Sequence, residues 1–271
     1  MRLGPGRLQV LLRSLASVPA SSAAGACLRV PLRLVPRSAA VPIFTGPLRG
    51  CRWTAGAGNQ SCLLGTFGMP KQGLFDRLVQ PGDTVLDIGA HAGFYSLLFS
   101  RLVGPDGRVF AFEPLPANLR HLREHLRLNA IPNVSVCPVA VGEAPGTSSF
   151  APGPNSYTGA LSPTGPLTVA VASLDDMHAA GLLPEPDLIK IDVEGGEERV
   201  LLGARRLIRM AQPSLVVATH GEHADQGCRE VLRTLGYSVS PLQYDPDEGP
   251  ELMARPIGPV RSGVDGPRVA D

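Results

Sequence analysis

The chain has 271 residues, 44% of them hydrophobic, and a formal net charge of +1. That length admits one or two domains with a sizeable core, and the charge balance gives no reason to expect a polyanionic partner. The five cysteines, Cys27, Cys51, Cys62, Cys137 and Cys228, are odd in number and form no C-x-x-C pair; this argues against a disulfide framework or a structural zinc and suits a reducing compartment.

Charge is unevenly spread. No acidic residue precedes Asp76, whereas eight arginines and Lys71 do. Residues 1–40 are rich in Arg, Ala, Ser and Pro. The apolar run 8–18 is interrupted by Arg13 and falls short of the roughly 20 residues of a membrane span. Such a start fits a basic, poorly ordered arm. It fits equally an organelle transit peptide or an amphipathic helix in peripheral contact with an anionic membrane. The cytoplasm is the expected location, with an organelle as the alternative if the arm is a targeting segment. Residues 41–75 combine glycines with Ile43, Phe44, Trp53, Leu63 and Phe67, which predicts a β-rich extension leaning on the main domain.

From Thr84 the pattern becomes regular. "TVLDIG" reads as a short buried strand, "FYSLLFSRLV" as a helix closed by "GPDG", and "RVFAFEP" as a second strand. In "PANLRHLREHLRLN", Leu119, Leu122 and Leu126 recur at helical spacing, and Pro116 suits a first turn. "VSVCPVAV" is a third strand. Residues 143–175 read as a β-insertion with strand-like pieces at "TSSF" and "LTVAVASL". The alternation then resumes: "DLIKIDVEG" strand, "EERVLLGARRLIRM" helix, "SLVVATHG" strand, "DQGCREVLRTLGY" helix, and "SVSPLQ" as the last strand. Alternating strands and helices predict an α/β domain over 76–244, with a mostly parallel sheet and helices on both faces. Residues 245–271, rich in Pro and Gly, read as a loose tail.

In open α/β sheets the ligand sits beyond the carboxyl ends of the strands. The turn after the first strand runs Gly89-Ala90-His91-Ala92-Gly93, a G-x-x-x-G spacing rather than G-x-G-x-x-G. A dinucleotide would place its pyrophosphate at this helix N-terminus, where the carboxylate of Asp87 opposes it. S-adenosylmethionine (SAM) carries an ammonium and a sulfonium instead, which an acid complements. Glu113, ending the second strand, can accept hydrogen bonds from ribose hydroxyls in either class. An NAD-dependent oxidoreductase is thus the weaker alternative. A non-catalytic SAM-binding protein is another. Nucleic acid is not expected as a partner, since the chain has one Trp and four Tyr and no aromatic interleaving of its basic residues.

The motifs "DTVLDIGAHAGFYSLLFSRLVGPDGRVFAFEPLPANLRHLREHLRLN" and "DLIKIDVEGGEERVLLGA" in this order, within residues 75–237, resemble the FkbM-type SAM-dependent methyltransferases. The resemblance implies a class I, Rossmann-like methyltransferase sheet of seven strands, parallel except for one near its end. It implies that Asp87, Gly89, Ala90, His91 and Gly93 line the methionine and ribose end of SAM. Glu113 would hold the ribose, Asn118 matches a family asparagine, and Ala140 falls where the adenine edge is bound. The implied reaction is O-methylation of a hydroxyl on a glycan or other small molecule.

Asp192 and Glu194 in "KIDVEGGE" lie two apart at a strand end, so both would point to one side. With His220 in "VVATHGEH" they form the candidate catalytic set: an acid to orient the acceptor or hold the SAM ammonium, and a histidine as general base with a pKa near 7. Glu197 reads as a helix cap. The spacing of Asp192, Glu194 and His220 does not demand a metal, and none is expected. Three positions depart from the family pattern: His91 in place of Asn, Gly196 in place of Ala, and Ala218 in place of Glu. The last weakens any mechanism needing an acid there.

Overall fold

A computed structural model describes residues 34–151, 160–161, 165–242 and 250–258. Most of the arm expected over 1–40 lies outside them. The domain is organised around a seven-stranded sheet, ordered β12-β13-β11-β10-β3-β4-β5. Its strands are β3 (Thr84–Ile88), β4 (Arg108–Phe112), β5 (Val134–Cys137), β10 (Leu188–Ile191), β11 (Ser214–Ala218), β12 (Tyr237–Leu242) and β13 (Glu251–Pro256). Only β13 runs antiparallel to both of its neighbours, β11 and β12; the remaining pairings are parallel. The central strands are short and almost wholly apolar because helices cover both faces. β10, for instance, is buried at all four positions.

On one face lie α3 (Phe94–Val103) and α4 (Pro116–Leu128). Leu97 and Leu98 of the first, and Leu119, Leu122 and Leu126 of the second, join Val85 and Val109 in one apolar cluster. Each such side chain contributes about 1.5–3 kcal/mol relative to exposure. On the other face, α6 (Glu197–Leu202), α7 (Arg205–Ala211) and α8 (Glu222–Thr234) pack Val200, Leu207, Ile208 and Leu232 over Leu86, Ile189 and Val217. The chain lays β3, β4 and β5 outward in one direction, then returns to place β10 against the other side of β3. The strand order therefore reverses between β3 and β10, and a crevice opens at their carboxyl ends.

Several segments differ from the sequence expectation. The extension over 41–75 holds one hairpin, β1 (Ala40–Pro42) with β2 (Arg52–Thr54), but also α1 (Gln60–Leu64) and the start of α2 (Met69–Leu78). Asn59 caps α1 by accepting from the Ser61 and Cys62 amides, which apolar counting alone does not register. The third strand breaks after Cys137. Its continuation, β6 (Ala140–Val141), pairs with β9 (Leu167–Ala172) in a separate sheet with β7 (Gly146–Ala151) and β8 (Ala160–Leu161). That small sheet packs Phe150 and Val169 on Leu115 and Ala140. The helix predicted over 197–210 splits at Gly203, where a Cβ would meet the Gly142 carbonyl at 2.0 Å. A short helix, α5 (Leu174–Ala179), precedes β10 and is capped by Ser173. The segment expected as a tail contributes β13, wedged between β11 and β12 with Leu252 and Ala254 fully buried. Among the described residues no helix is long and apolar enough to cross a membrane.

Candidate active site

The turn after β3 is set by close approach. Gly89 has φ +78°, and a Cβ on it would lie 1.8 Å from the Asp192 carbonyl. Only glycine lets the turn of β3 touch the end of β10. Gly93, at φ +90°, abuts Leu122 of α4. Ala90 is buried between them, and His91 takes φ 51°, a left-handed conformation that costs a non-glycine residue energy.

Asp87 lies beneath this turn rather than at its surface. It is fully buried, with Ser96 donating to Oδ2 at 2.6 Å and Lys190 Nζ 3.1 Å from Oδ1. Lys190 also donates to the Gly89 carbonyl at 2.9 Å and stands 3.8 Å from Asp192. The expectation that Asp87 itself faces the cofactor is therefore revised: its carboxylate is engaged by Lys190 and Ser96. Register explains the pairing, because Asp87 and Lys190 are direct neighbours on β3 and β10.

Glu113 turns back toward the same turn. Its Oε2 accepts from the His91 amide and its Oε1 from the Leu115 amide, each at 2.8 Å. Burial raises its pKa, opposed by those amides and by the Asn118 side chain on the first turn of α4. Glu113 and Asn118 thus lie side by side at this turn. Ala140 sits on β6 at the edge of the small sheet, buried beside Leu115.

The candidate catalytic residues converge. His220, just beyond β11, places Nε2 3.8 Å from Asp192 Oδ1 and 3.5 Å from Glu194 Oε2. All three side chains are between a quarter and a third exposed. Behind them Glu197 is fully buried. Its Oε1 takes the His220 Nδ1 contact at 2.8 Å and accepts from the amides of Gly195 at 2.9 Å and Val193 at 3.3 Å. Glu197 thus caps the turn before α6, and it also fixes the imidazole. Burial by itself would lower the pKa of His220. The hydrogen bond to Glu197 and the charges of Asp192 and Glu194 outweigh it and push the value up to about 9. A pKa near 7 is not what this arrangement produces: the imidazole is held as a cation between three carboxylates. Burial pushes Asp192 upward, but Lys190, Lys71 and His220 outweigh it and hold its pKa low. Glu194 is raised by burial and by Asp192 and Glu197, with His220 opposing.

Two charged residues missed by sequence reasoning border the same place. Lys71 of α2 and Glu251 of β13 form a buried ion pair at 2.6 Å. With Tyr95, Lys190, Asp192 and Ala218 they line a small cavity beside the crevice. Lys71 and Lys190 stand 5.6 and 5.5 Å from the centroid of the Tyr95 ring, within cation–π reach. Glu251 lies directly across from Ala218 in the register of β11 and β13. An acid is therefore present at this level of the sheet, on the neighbouring strand. Nothing in the local sequence sets Lys71 apart from the eight arginines that share its acid-free stretch.

Comparison with known proteins shows what the chain is similar to. The family model described as "Methyltransferase FkbM domain" matches residues 87–244. The chain is 33% identical over 170 residues to the hexuronic acid methyltransferase AglP of Haloferax volcanii, covering 61% of this chain and 68% of that protein. It is 28% identical to the 31-O-demethyl-FK506 methyltransferase FkbM of Streptomyces tacrolimicus, over 46% of this chain and 60% of that one. Among solved structures, methyltransferase FkbM from Methylobacillus flagellatus KT superposes with a TM-score of 0.50 at 18% identity, over 73% of this chain. The chain spans 55% of that structure's length, so this likeness speaks to the fold.

Proposed function

Given that the chain belongs to the FkbM methyltransferase family, with SAM as its cofactor, we propose that it methylates a hydroxyl oxygen on a glycan or a comparable hydroxylated small molecule. The observation carrying this reading is the convergence of Asp192, Glu194 and His220 beyond β10 and β11, at the strand-order reversal and against the glycine turn. The names of two relatives support oxygen chemistry, one referring to a hexuronic acid and the other to a 31-O-demethyl acceptor.

The reaction needs little covalent help. Bound SAM would supply a methyl carbon activated by its sulfonium, to which the acceptor oxygen would bond as the carbon–sulfur bond broke and a neutral thioether left. The hydroxyl proton passes to the carboxylate cluster. The protein must hold oxygen, carbon and sulfur in line and exclude water. Family membership displaces the NAD-dependent reading, and the buried Asp87–Lys190 pair at the turn offers nothing to a pyrophosphate.

The test is calorimetric titration with SAM, followed by turnover on a panel of hydroxylated acceptors that includes uronic-acid glycans. Binding of SAM with no response to NAD is expected. Asp192→Asn should lower turnover about 100-fold, in the range of acid–base contributions, with SAM affinity little changed. SAM binding without turnover on any hydroxylated acceptor would instead favour a non-catalytic binder.

A further inference from the structure

We infer that Asp192, Glu194 and His220 form the protein-derived half of a divalent-cation site. One oxygen of each carboxylate and one imidazole nitrogen lie mutually within 4.8 Å. A cation bound at about 2.1 Å to such donors holds them roughly 3.0–3.4 Å apart. The Nε2–Oδ1 and Nε2–Oε2 separations are already 3.8 and 3.5 Å, so the imidazole needs shifts of only a few tenths of an ångström toward each carboxylate, while the two carboxylate oxygens lie within 4.8 Å of each other. These side chains remain partly exposed. Positions away from them would stay open for water or an acceptor oxygen, as in catalytic rather than structural sites.

A second observation lies outside the cluster. Glu197, fully buried, engages His220 Nδ1 and so turns Nε2 toward the two carboxylates. A buried carboxylate behind a ligating histidine is the usual support of a metal site, fixing tautomer and ring orientation. Glu197 is held for this task by two backbone amides, and its Oε2 has no hydrogen-bond partner among the described residues. Charge points the same way. Five carboxylates, Asp87, Asp192, Glu194, Glu197 and Glu251, stand with three cationic side chains, Lys71, Lys190 and His220; Lys71 is paired with Glu251, and Lys190 with Asp87 and the Gly89 carbonyl.

Binding would release the Nε2 proton of the His220 cation to water, the metal taking over the positive charge between the carboxylates, and a mixed imidazole–dicarboxylate set suits Mn2+ or Mg2+ better than a thiolate-seeking metal. Such a cation would draw in the acceptor oxygen and lower its pKa. The O–H bond would then yield its proton, through water, to a carboxylate oxygen of the cluster that the cation leaves free, the oxygen would form its bond to the methyl carbon, and the carbon–sulfur bond would break. This role rests on the methyltransferase reading; the site itself does not.

The experiment is Mn2+ titration of the full chain, followed by loss of the free-ion electron paramagnetic resonance signal and by calorimetry, with and without SAM. One Mn2+ per chain is expected, competed by Mg2+ and undisturbed by SAM. Glu194→Gln and His220→Ala should each weaken it about tenfold or more, while the exposed Glu222→Gln should not. No uptake at millimolar free Mn2+, or equal affinity in all variants, would overturn the site. Displacement of the ion by SAM would overturn it too, since the carboxylates would then seat the SAM ammonium. Because SAM binding is measured separately, failure of the cation site leaves the methyltransferase reading intact, and the reverse.

Discussion

Asp87 shows how one residue's meaning depends on its depth. At the end of a strand an acid suggests a direct contact with a cationic cofactor. Buried beside Lys190 it instead neutralises an ammonium that would otherwise face only the Gly89 carbonyl and Asp192. Removing one partner of a buried pair costs about 3–5 kcal/mol, because the other charge is stranded. Asp87→Ala should therefore lower the unfolding free energy by about 3 kcal/mol in urea titration. Lys190→Met in the same chain should restore part of that loss, since an apolar pair replaces a stranded charge. An unchanged urea midpoint in Asp87→Ala, with SAM affinity lost, would return Asp87 to the role of direct contact.

At the scale of elements, the legible parts are those whose signal is local. β3, α3, β4 and α4 carry their own periodicity, and Gly89 and Glu113 fall where strand ends place them. Asp192, Glu194 and His220 are legible as a set because each ends a strand or its turn on the same side of the sheet. β13 is not legible. "ELMARP" follows a Pro/Gly-rich stretch, and what makes it a strand is pairing with β11, more than 30 residues away. Glu251 and the Lys71 pair are hidden for the same reason, and so is the depth of Asp87. A burial-based test follows. Leu252 is fully buried in β13, so Leu252→Ala should cost about 2–5 kcal/mol, as in a core. In a loose tail the same change would stay within about 0.5 kcal/mol. The urea midpoint distinguishes the two.

Across the whole molecule, His125 ties the N-terminal hairpin to the cofactor turn. Its Nδ1 meets the Ala92 carbonyl at 2.7 Å, and its Nε2 accepts from the Thr54 amide at 3.0 Å. These two bonds require the neutral ring with its proton on Nδ1. Trp53 of β2 stacks on the imidazole at 3.8 Å, and Asn129 holds both the amide and the carbonyl of Arg52. Burial is the main cause that lowers the His125 pKa to about 4. His121 and His91 push it the same way, while the Ala92 bond and Glu124 oppose. An unfolded histidine titrates near 6.5, so between pH 6.5 and 4 the unfolded chain binds the extra proton and the folded one does not. Stability from this residue is complete above pH 6.5 and is lost as pH falls toward 4, by about 3 kcal/mol in all. His125→Phe keeps the stacking but cannot titrate. It should be less stable than the parent at pH 8, where the Thr54 amide loses its acceptor. It should also lose less stability on acidification, so that the two urea midpoints converge as pH 4 is approached. Parallel pH profiles would show that the acid sensitivity arises elsewhere.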